Sequence, residues 1–162
     1  MTPQSVRLNP KKVASSFHIV LALDDSASMS GKPWQDLCNA VDSFARSRIA
    51  MGATKDICSI INHSGTSKVM CSKVKIIKNL SSKTTFRSGG NNFDIAIQCC
   101  DSAIGSTDFS TYAPVLLFMS DGGCGNGESE MKKLYDKYEQ HNLQVFTIGF
   151  GSGCDKQKML SL

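Results

Sequence analysis

The chain of 162 residues lacks a long apolar segment, because its longest unbroken apolar runs are residues 19–23 and 113–119. A membrane-spanning helix needs about 20 such residues, so we expect no insertion into a membrane. Residues 1–7 also lack the apolar core of a signal peptide. The net charge of +4, from 18 basic and 14 acidic side chains, is too small and too dispersed to indicate a nucleic-acid partner.

The seven cysteines include no C-x-x-C pair, which is the spacing of zinc knuckles and redox motifs. Their number is odd, and most lie within apolar patterns, where a free thiol behaves as a small hydrophobic group. These features favour a reduced protein and a cytoplasmic location. Glycosylation-type triplets begin at Asn62 and Asn79, so an extracellular location is the alternative.

Apolar patterns along the chain alternate between those of strands and those of helices. Continuous runs of branched residues predict strands, and three-and-four spacing predicts helices. The turn composition of residues 62–65 predicts a hairpin between the second and third strands. The predicted strands are residues 17–23, 57–61, 68–74, 114–119 and 143–150, and the predicted helices are 33–50, 93–105 and one from about 128.

This alternation predicts an α/β fold with a Rossmann-like, doubly wound sheet. We expect the sheet to be mostly parallel, with one antiparallel edge strand and helices on both faces. We assign residues 17–162 to this domain. Residues 1–16 are polar, contain two prolines and lack periodicity, so we interpret them as a flexible leader or linker. In a sheet of this kind, ligands bind beyond the carboxyl ends of the strands.

Three polar clusters lie where that ligand-binding edge is expected. They are Asp24-x-Ser26-x-Ser28 after the first strand, residues 89–92 before the second helix, and residues 120–123 after the fourth strand. Alternate side chains of an extended loop share one side, so Asp24, Ser26 and Ser28 can converge on one ion. The clusters supply carboxylate, hydroxyl and carboxamide oxygens, which are the hard ligands that Mg²⁺ prefers.

The same segments resemble the motifs of the von Willebrand factor A domain. Residues 21–29 are similar to its first motif, Asp-x-Ser-x-Ser after a buried strand, and residues 89–94 to its second, usually Gly-Gly-Thr-Asn-Phe. Residues 116–122 resemble the third motif, a strand that ends in Ser-Asp-Gly, and residues 145–151 resemble a later strand of the family. The resemblance extends over residues 17–151, and four short motifs in the family's order make it specific.

That family uses these loops as a metal-ion-dependent adhesion site. The resemblance implies that Ser26 and Ser28 bind Mg²⁺ directly, with Mn²⁺ or Ca²⁺ as alternative ions. It also implies that Asp24 and Asp121 reach the ion largely through water. Asn91 takes the position of the family's threonine and is a departure, because a carboxamide is longer than a hydroxyl, although its oxygen is a competent hard ligand. These five residues are the predicted metal ligands.

The predicted function is coordination rather than reaction. Two carboxylates roughly offset a divalent charge, so the ion can take a further anionic oxygen. We expect a divalent-cation-dependent protein-binding module that captures an Asp or Glu side chain of a partner. The alternative is a degenerate domain that binds a partner without metal or acts as a structural module. Family members generally finish with a helix packed on the sheet, and only its first turns are present, so we expect part of a larger polypeptide.

A Mg²⁺-dependent phosphohydrolase is the weaker rival, suggested by a buried strand that ends in Asp24-Asp25 and by the distant Asp121. Such enzymes need an acid/base Asp two residues after the nucleophile, and Ser26 holds that place. The three histidines are dispersed, and no set of nucleophile, base and orienting group is evident, so we predict that the chain is not an enzyme. We interpret Asp25 and Asp94 as solvent-facing or local loop partners rather than ligands.

Overall fold

Five strands form one mixed sheet with helices on both of its faces. A computed structural model describes residues 16–162 of the chain. The strands are β1 (Ser16–Asp24), β2 (Ile57–His63), β3 (Ser67–Lys75), β4 (Tyr112–Ser120) and β5 (Gln144–Gly149). The helices are α1 (Lys32–Ala50), α2 (Phe93–Gly105), α3 (Glu128–Tyr138) and α4 (Lys156–Ser161). Short 3-10 turns lie at Ala27–Met29, Leu80–Lys83 and Glu139–His141.

The strand order in the sheet is β3-β2-β1-β4-β5. β1 is parallel to both β2 and β4, and β4 is parallel to β5, whereas β2 and β3 are antiparallel. The predicted fold class is therefore confirmed, including the antiparallel strand at one edge. Because four of the strands point the same way, their carboxyl ends share one edge of the sheet, where ligand sites form in such folds.

β1 is buried on both faces, as its continuous apolar run predicts. Residues 19–23 are at most 2% exposed. Val20 and Ala22 join the core under α2 and α3, whereas Leu21 and Leu23 join the core under α1. Successive side chains of a strand point to opposite faces, so this one strand connects both helical layers to the sheet.

β2 extends two residues further than its composition predicts. Asn62 and His63 are strand residues with buried side chains, so the predicted turn at residues 62–65 is wrong in its first half. Tertiary contacts override the local turn preference here. The Asn62 amide donates to the Asp25 carboxylate at 3.0 Å, and the His63 ring stacks on Phe118 at a centroid distance of 4.7 Å.

The predicted leader, residues 1–16, lies outside the described residues except for Ser16, which is the first residue of β1. Between residues 16 and 162 no helix combines the length and the apolar character needed to cross a bilayer. The seven cysteines are all free thiols in this part of the chain.

Candidate metal centre

Three loops meet at the carboxyl edge of the sheet, beside the ends of β1 and β4. The first loop follows β1 (residues 25–31), the second precedes α2 (residues 84–92), and the third follows β4 (residues 121–127). β1 and β4 are hydrogen-bonded neighbours in parallel register. Asp24 and Ser120 therefore end adjacent strands, and the loops that follow them begin side by side.

The Asp24 carboxylate is fully buried and accepts hydrogen bonds from three segments of the chain. Its Oδ1 accepts a hydrogen bond from the Ser26 backbone N–H at 2.8 Å. Its Oδ2 accepts from Asn91 Nδ2 at 2.9 Å and from the Ser120 hydroxyl. Hydrogen bonds to an ionised carboxylate are stronger than those between neutral groups, so these three donors hold Asp24 in one orientation.

The hydroxyl oxygens of Ser26 and Ser28 lie 3.1 Å apart on the first loop. The 3-10 turn over Ala27–Met29 brings them to the same side of the chain. Two neighbouring ligands of an octahedral Mg²⁺, each at about 2.1 Å from the ion, are about 3 Å apart. The two hydroxyls therefore have the separation that two direct ligands of such an ion require.

Asn91 presents an oxygen without a partner. Only the amide nitrogen can donate to a carboxylate, so the hydrogen bond to Asp24 determines which end of the carboxamide is the oxygen. That oxygen, Oδ1, is buried and accepts no hydrogen bond within the described residues. A buried acceptor left unpaired costs about 1–3 kcal/mol, which an ion or an ordered water would offset.

Asp121 begins the third loop and is partly exposed. Its Oδ1 accepts from the Gly123 N–H at 3.0 Å, and its backbone carbonyl accepts from the Asp155 N–H at 2.8 Å. Hydrogen bonds link the four other predicted ligands, but none of the bonds in residues 16–162 joins them to the Asp121 carboxylate. Asp121 thus follows the end of the neighbouring strand, and its carboxylate has no hydrogen bond to the four linked residues within the described part of the chain.

Two glycines allow the loops to approach one another. Gly89 has a φ of +150°, and a Cβ there would lie 3.0 Å from Ser64 Oγ. Gly122 has a φ of +80°, and a Cβ there would lie 2.7 Å from the backbone oxygen of Asp155. These conformations and spacings favour glycine, which explains why glycines occur at these points in the two motifs.

Asp25 is a loop partner rather than a solvent-facing residue. Its side chain is fully buried, and both carboxylate oxygens accept from Arg87 of the second loop, at 2.5 and 3.0 Å. Asp94 lies partly exposed in the first turn of α2. Sequence reasoning missed Arg87, because 62 residues separate it from Asp25 and no local pattern marks the pair.

A pair of asparagines connects the second and third loops. The Asn92 side chain caps α2 by accepting from the Ile95 N–H at 3.3 Å, and it also accepts from Asn126 Nδ2 at 3.1 Å. Asn126 Oδ1 accepts from the Phe93 N–H at 3.0 Å. The third loop is therefore attached to the first turn of α2, directly after Asn91. Asn126 lies in a glycine-rich stretch that signals only a loop.

His18 is the histidine that comes nearest to a catalytic arrangement, and it is a core residue. Its ring nitrogens lie 2.8 Å from Ser59 Oγ and 2.7 Å from Thr107 Oγ1. His18 and Ser59 are fully buried, and Thr107 is 7% exposed, so a substrate has no access to the hydroxyl. Burial, helped by the Lys73 ammonium, lowers the pKa of His18 to about 4.

His63 lies directly under the candidate centre, opposite Asp24 in the sheet. Its ring stacks on Phe118 and meets Phe93 edge-on at 5.8 Å. Burial lowers the pKa of His63, while the carboxylates of Asp24 and Asp25 oppose this effect. The neutral His63 ring therefore packs with Phe93 and Phe118 as an aromatic cluster beneath the site.

Carboxylate, thiol and imidazole groups alone do not form a metal site in the described part of the chain. No three His, Cys, Asp or Glu side chains of residues 16–162 are clustered so that they could hold an ion. The hydroxyls of Ser26 and Ser28 and the Asn91 oxygen are the further oxygens that these loops present. Such an all-oxygen set suits Mg²⁺ and Mn²⁺.

The sequence model of the von Willebrand factor type A domain matches residues 19–123 of the chain. This match covers more than half of the 162 residues, so the chain belongs to the von Willebrand factor type A domain family. Domains of this family are typically modules for protein–protein interaction rather than enzymes. No curated protein matches the chain in sequence.

Solved structures share the fold at low sequence identity. Proximal thread matrix protein 1 of the mussel byssus, with a zinc-occupied metal-ion-dependent adhesion motif, has a TM-score of 0.73 at 17% identity, over 91% of this chain and 41% of its own. Manganese-loaded TRAP protein of Plasmodium vivax has a TM-score of 0.65 at 17% identity, over 89% and 61%. BatB of Bacteroides thetaiotaomicron has a TM-score of 0.65 at 14% identity, and the match covers 83% of this chain and 66% of BatB. The chain thus spans less than half of the mussel protein.

Proposed function

We propose that the chain is a divalent-cation-dependent protein-binding module that captures an Asp or Glu side chain of a partner. The ion would be held by Ser26, Ser28 and Asn91, with Asp24 and Asp121 acting through water. Mg²⁺ is the proposed ion, with Mn²⁺ as an effective substitute. Metal-loaded relatives with the same fold, one with zinc and one with manganese, support this proposal.

The observation that carries the proposal is the unpartnered Oδ1 of Asn91. It is buried on a side chain whose other end is fixed by Asp24, in the same loop cluster as the two hydroxyls. A cation bound here would give this oxygen the partner that it lacks among the described residues. The departure from threonine in the family motif is thus compatible with metal binding.

The charge around the site supports an acidic ligand. Asp24 and Asp121 supply two negative charges, and Arg87 neutralises the third nearby carboxylate, Asp25. A divalent ion then has little surplus negative charge around it and retains its attraction for an anionic oxygen. A carboxylate from a partner is such an oxygen, and its contact with the ion is charge-assisted.

Thermal unfolding with and without metal tests the site. A ligand that binds only the native state stabilises it by mass action, and 100 times the Kd gives about 2.7 kcal/mol. We therefore expect millimolar Mg²⁺ or Mn²⁺ to raise the Tm of the wild type relative to EDTA. Asp121→Ala should lose most of this shift, while Asp94→Ala, a matched aspartate outside the ligand set, should keep it.

Equal melting temperatures in Mg²⁺, Mn²⁺ and EDTA would instead favour the second candidate, a metal-independent interaction module. One observation favours it, because all three donors to Asp24 come from the protein itself and close the loops without an ion. If the metal response is present, pull-downs in Mg²⁺ and in EDTA identify partners. Replacing the partner's Asp or Glu by Asn or Gln should then abolish capture.

A further inference from the structure

The Arg87 side chain donates four hydrogen bonds, two of them to a carboxylate and two to backbone carbonyls. Its guanidinium donates to both oxygens of Asp25, and also to the backbone oxygens of Asn62 and Thr66 at 3.3 and 3.2 Å. The Arg87 side chain is 24% exposed, and that of Asp25 is 0% exposed. A planar guanidinium that binds a buried carboxylate with two nitrogens fixes geometry as well as charge.

This ion pair links three segments at the candidate centre. Asp25 directly follows Asp24 on the first loop, while the two carbonyl acceptors belong to the end of β2 and the turn after it. Arg87 itself belongs to the second loop, four residues before Asn91. The pair therefore attaches the loop that carries Asn91 to the first loop, which carries Ser26 and Ser28, and to the end of β2.

Each end of this part of the second loop has a side-chain hydrogen bond of its own, since the Thr85 carbonyl accepts from the Asn62 amide at 2.9 Å and the Asn91 amide donates to Asp24. Gly89 O accepts from the Ala27 N–H at 2.9 Å, and the Asn92 N–H donates to Ser64 O at 3.0 Å. Gly89 and Gly90 are exposed and contribute no side chain to the loop cluster. Between its two ends, this part of the loop is also attached by the ion pair of Arg87 with the buried Asp25.

We infer that Asp25 and Arg87 are positioning residues of the metal centre, which hold the Asn91 oxygen in place before an ion binds. This inference rests on the proposed function. The pair acts on the ion through Asn91 and Asp24 and does not touch it. Prepositioned ligands lower the cost of ordering the loop on binding, so loss of the pair should weaken metal affinity.

The chain contains a matched ion pair at the opposite end of the sheet. Arg48 is 22% exposed and donates two hydrogen bonds to Asp56, which is 3% exposed, at 2.5 and 3.0 Å. Asp56 also accepts from the Phe17 N–H, as Asp25 accepts from the Asn62 amide. The two pairs therefore have similar burial, although both Arg48 bonds go to one oxygen, and only Asp25–Arg87 lies beside the candidate ligands.

The test removes each pair without changing the net charge. A single Arg87 substitution would leave a bare carboxylate near the ion and attract metal, which would mask the loss of positioning. We therefore compare two double variants. The first combines Asp25→Asn and Arg87→Met, and the control combines Asp56→Asn and Arg48→Met. Mn²⁺ affinity is measured by electron paramagnetic resonance, and amide hydrogen exchange of Ala27 and Asn92 is measured in metal-free protein.

We expect at least tenfold weaker Mn²⁺ binding and at least tenfold faster exchange at Ala27 and Asn92 in the Asp25/Arg87 variant. In the Asp56/Arg48 variant, the Mn²⁺ affinity and the two exchange rates should stay within about twofold of wild type, although the variant loses stability. Equal Mn²⁺ affinities in the two variants would overturn the inference. Arg87→Lys and Arg48→Lys provide a milder pair for the same comparison if the double variants do not fold.

The two proposals fail in different ways. If the wild type itself binds no Mn²⁺, the proposed function fails, and the exchange rates of the metal-free variants still show whether the pair holds the loop. If the wild type binds Mn²⁺ and removal of either pair has the same effect, the metal site stands and the positioning role is wrong.

Discussion

At the scale of single residues, Asp24 has its hydrogen bonds in place before any ion binds. It is buried and accepts hydrogen bonds from a backbone amide, a carboxamide and a hydroxyl. A buried carboxylate is costly unless it is bonded in this way. Each donor orients a different segment of the chain, so Asp24 acts as an organiser of the loops as well as a predicted metal ligand.

His18 gives the stability of the domain a specific pH dependence. Ser59 Oγ accepts from the Lys73 N–H, so its hydroxyl hydrogen can donate to Nε2, and the Nδ1–H of the neutral ring donates to Thr107. Burial lowers the pKa of His18 to about 4 in the native state. The imidazole of the unfolded chain therefore becomes protonated at a higher pH than that of the native state.

We therefore predict that the contribution of His18 to the free energy of unfolding is complete above about pH 6.5 and falls as the pH drops toward 4. A shift of this size corresponds to about 3 kcal/mol. Urea unfolding of the wild type and of His18→Asn at pH 7.5 and pH 5 measures it. The wild type should lose more stability than the variant between the two pH values; equal losses would contradict the prediction.

The spacing of Asp24, Ser26 and Ser28 allowed these residues to be predicted as one group, because the pattern is local. The ion pair of Asp25 with Arg87 could not be predicted, since it depends on how a distant loop folds back. Likewise, nothing in the sequence shows that the Asn91 amide bonds to Asp24 or that its oxygen lacks a partner. Local patterns identify ligand types, and only the fold shows how they are oriented.

At the scale of elements, α2 is anchored at its first residue. Phe93 is fully buried, and its ring meets Phe118 edge-on at 5.1 Å and His63 at 5.8 Å. The backbone N–H of Phe93 is bonded to Asn126. The start of α2, and with it the position of Asn91, is therefore set by packing against β2 and β4 as well as by the loops.

We predict that Phe93→Ala lowers the free energy of unfolding by about 3–5 kcal/mol, because it leaves a cavity under the candidate centre. Chemical denaturation measures the loss. Ile95→Ala on the same helix is the control, since Ile95 is 40% exposed and should cost well under half as much. Similar losses in the two variants would show that the ring does not anchor the helix.

The helices were the elements that the sequence predicted best. Apolar spacing and Pro33 in the first turn identify α1, and the boundaries of α2 agree with its predicted range. The end of β2 was missed because asparagine and histidine are typical of turns. In the folded chain they are strand residues, since the Asn62 amide is hydrogen-bonded to Asp25 and the His63 ring packs on Phe118.

At the scale of the whole molecule, the two edges of the sheet differ in charge. β3 carries exposed Lys68, Lys73 and Lys75, which discourage pairing with another chain. β5 contains no charged residue, and Phe146 on it is 49% exposed. Among residues 16–162, β5 pairs with β4 on one side and with no strand on the other.

We predict that this chain self-associates through β5 as its concentration rises, and that Phe146→Lys reduces the association. Tyr135→Lys on α3 is the matched control, because that aromatic residue is 45% exposed but lies on a helix. Light scattering coupled to size-exclusion chromatography measures the mass. Equal behaviour of the two variants would show that exposed aromatic area in general, rather than the strand edge, causes the association.

The alternation of strands and helices was sufficient to predict a mostly parallel sheet, and the predicted hairpin of the second and third strands supplied its antiparallel edge. The order of the strands could not be derived from periodicity alone, because parallel neighbours are joined through long connections and several orders have the same pattern.

The burial of Asn62 has a consequence for biosynthesis in a compartment that attaches sugars. Its buried amide donates to Asp25 and to the Thr85 carbonyl, so a glycan could be added there only before these loops close over the end of β2. Asn79, in contrast, is exposed on the folded surface. Of the two acceptor triplets, only that of Asn79 is compatible with a folded glycoprotein.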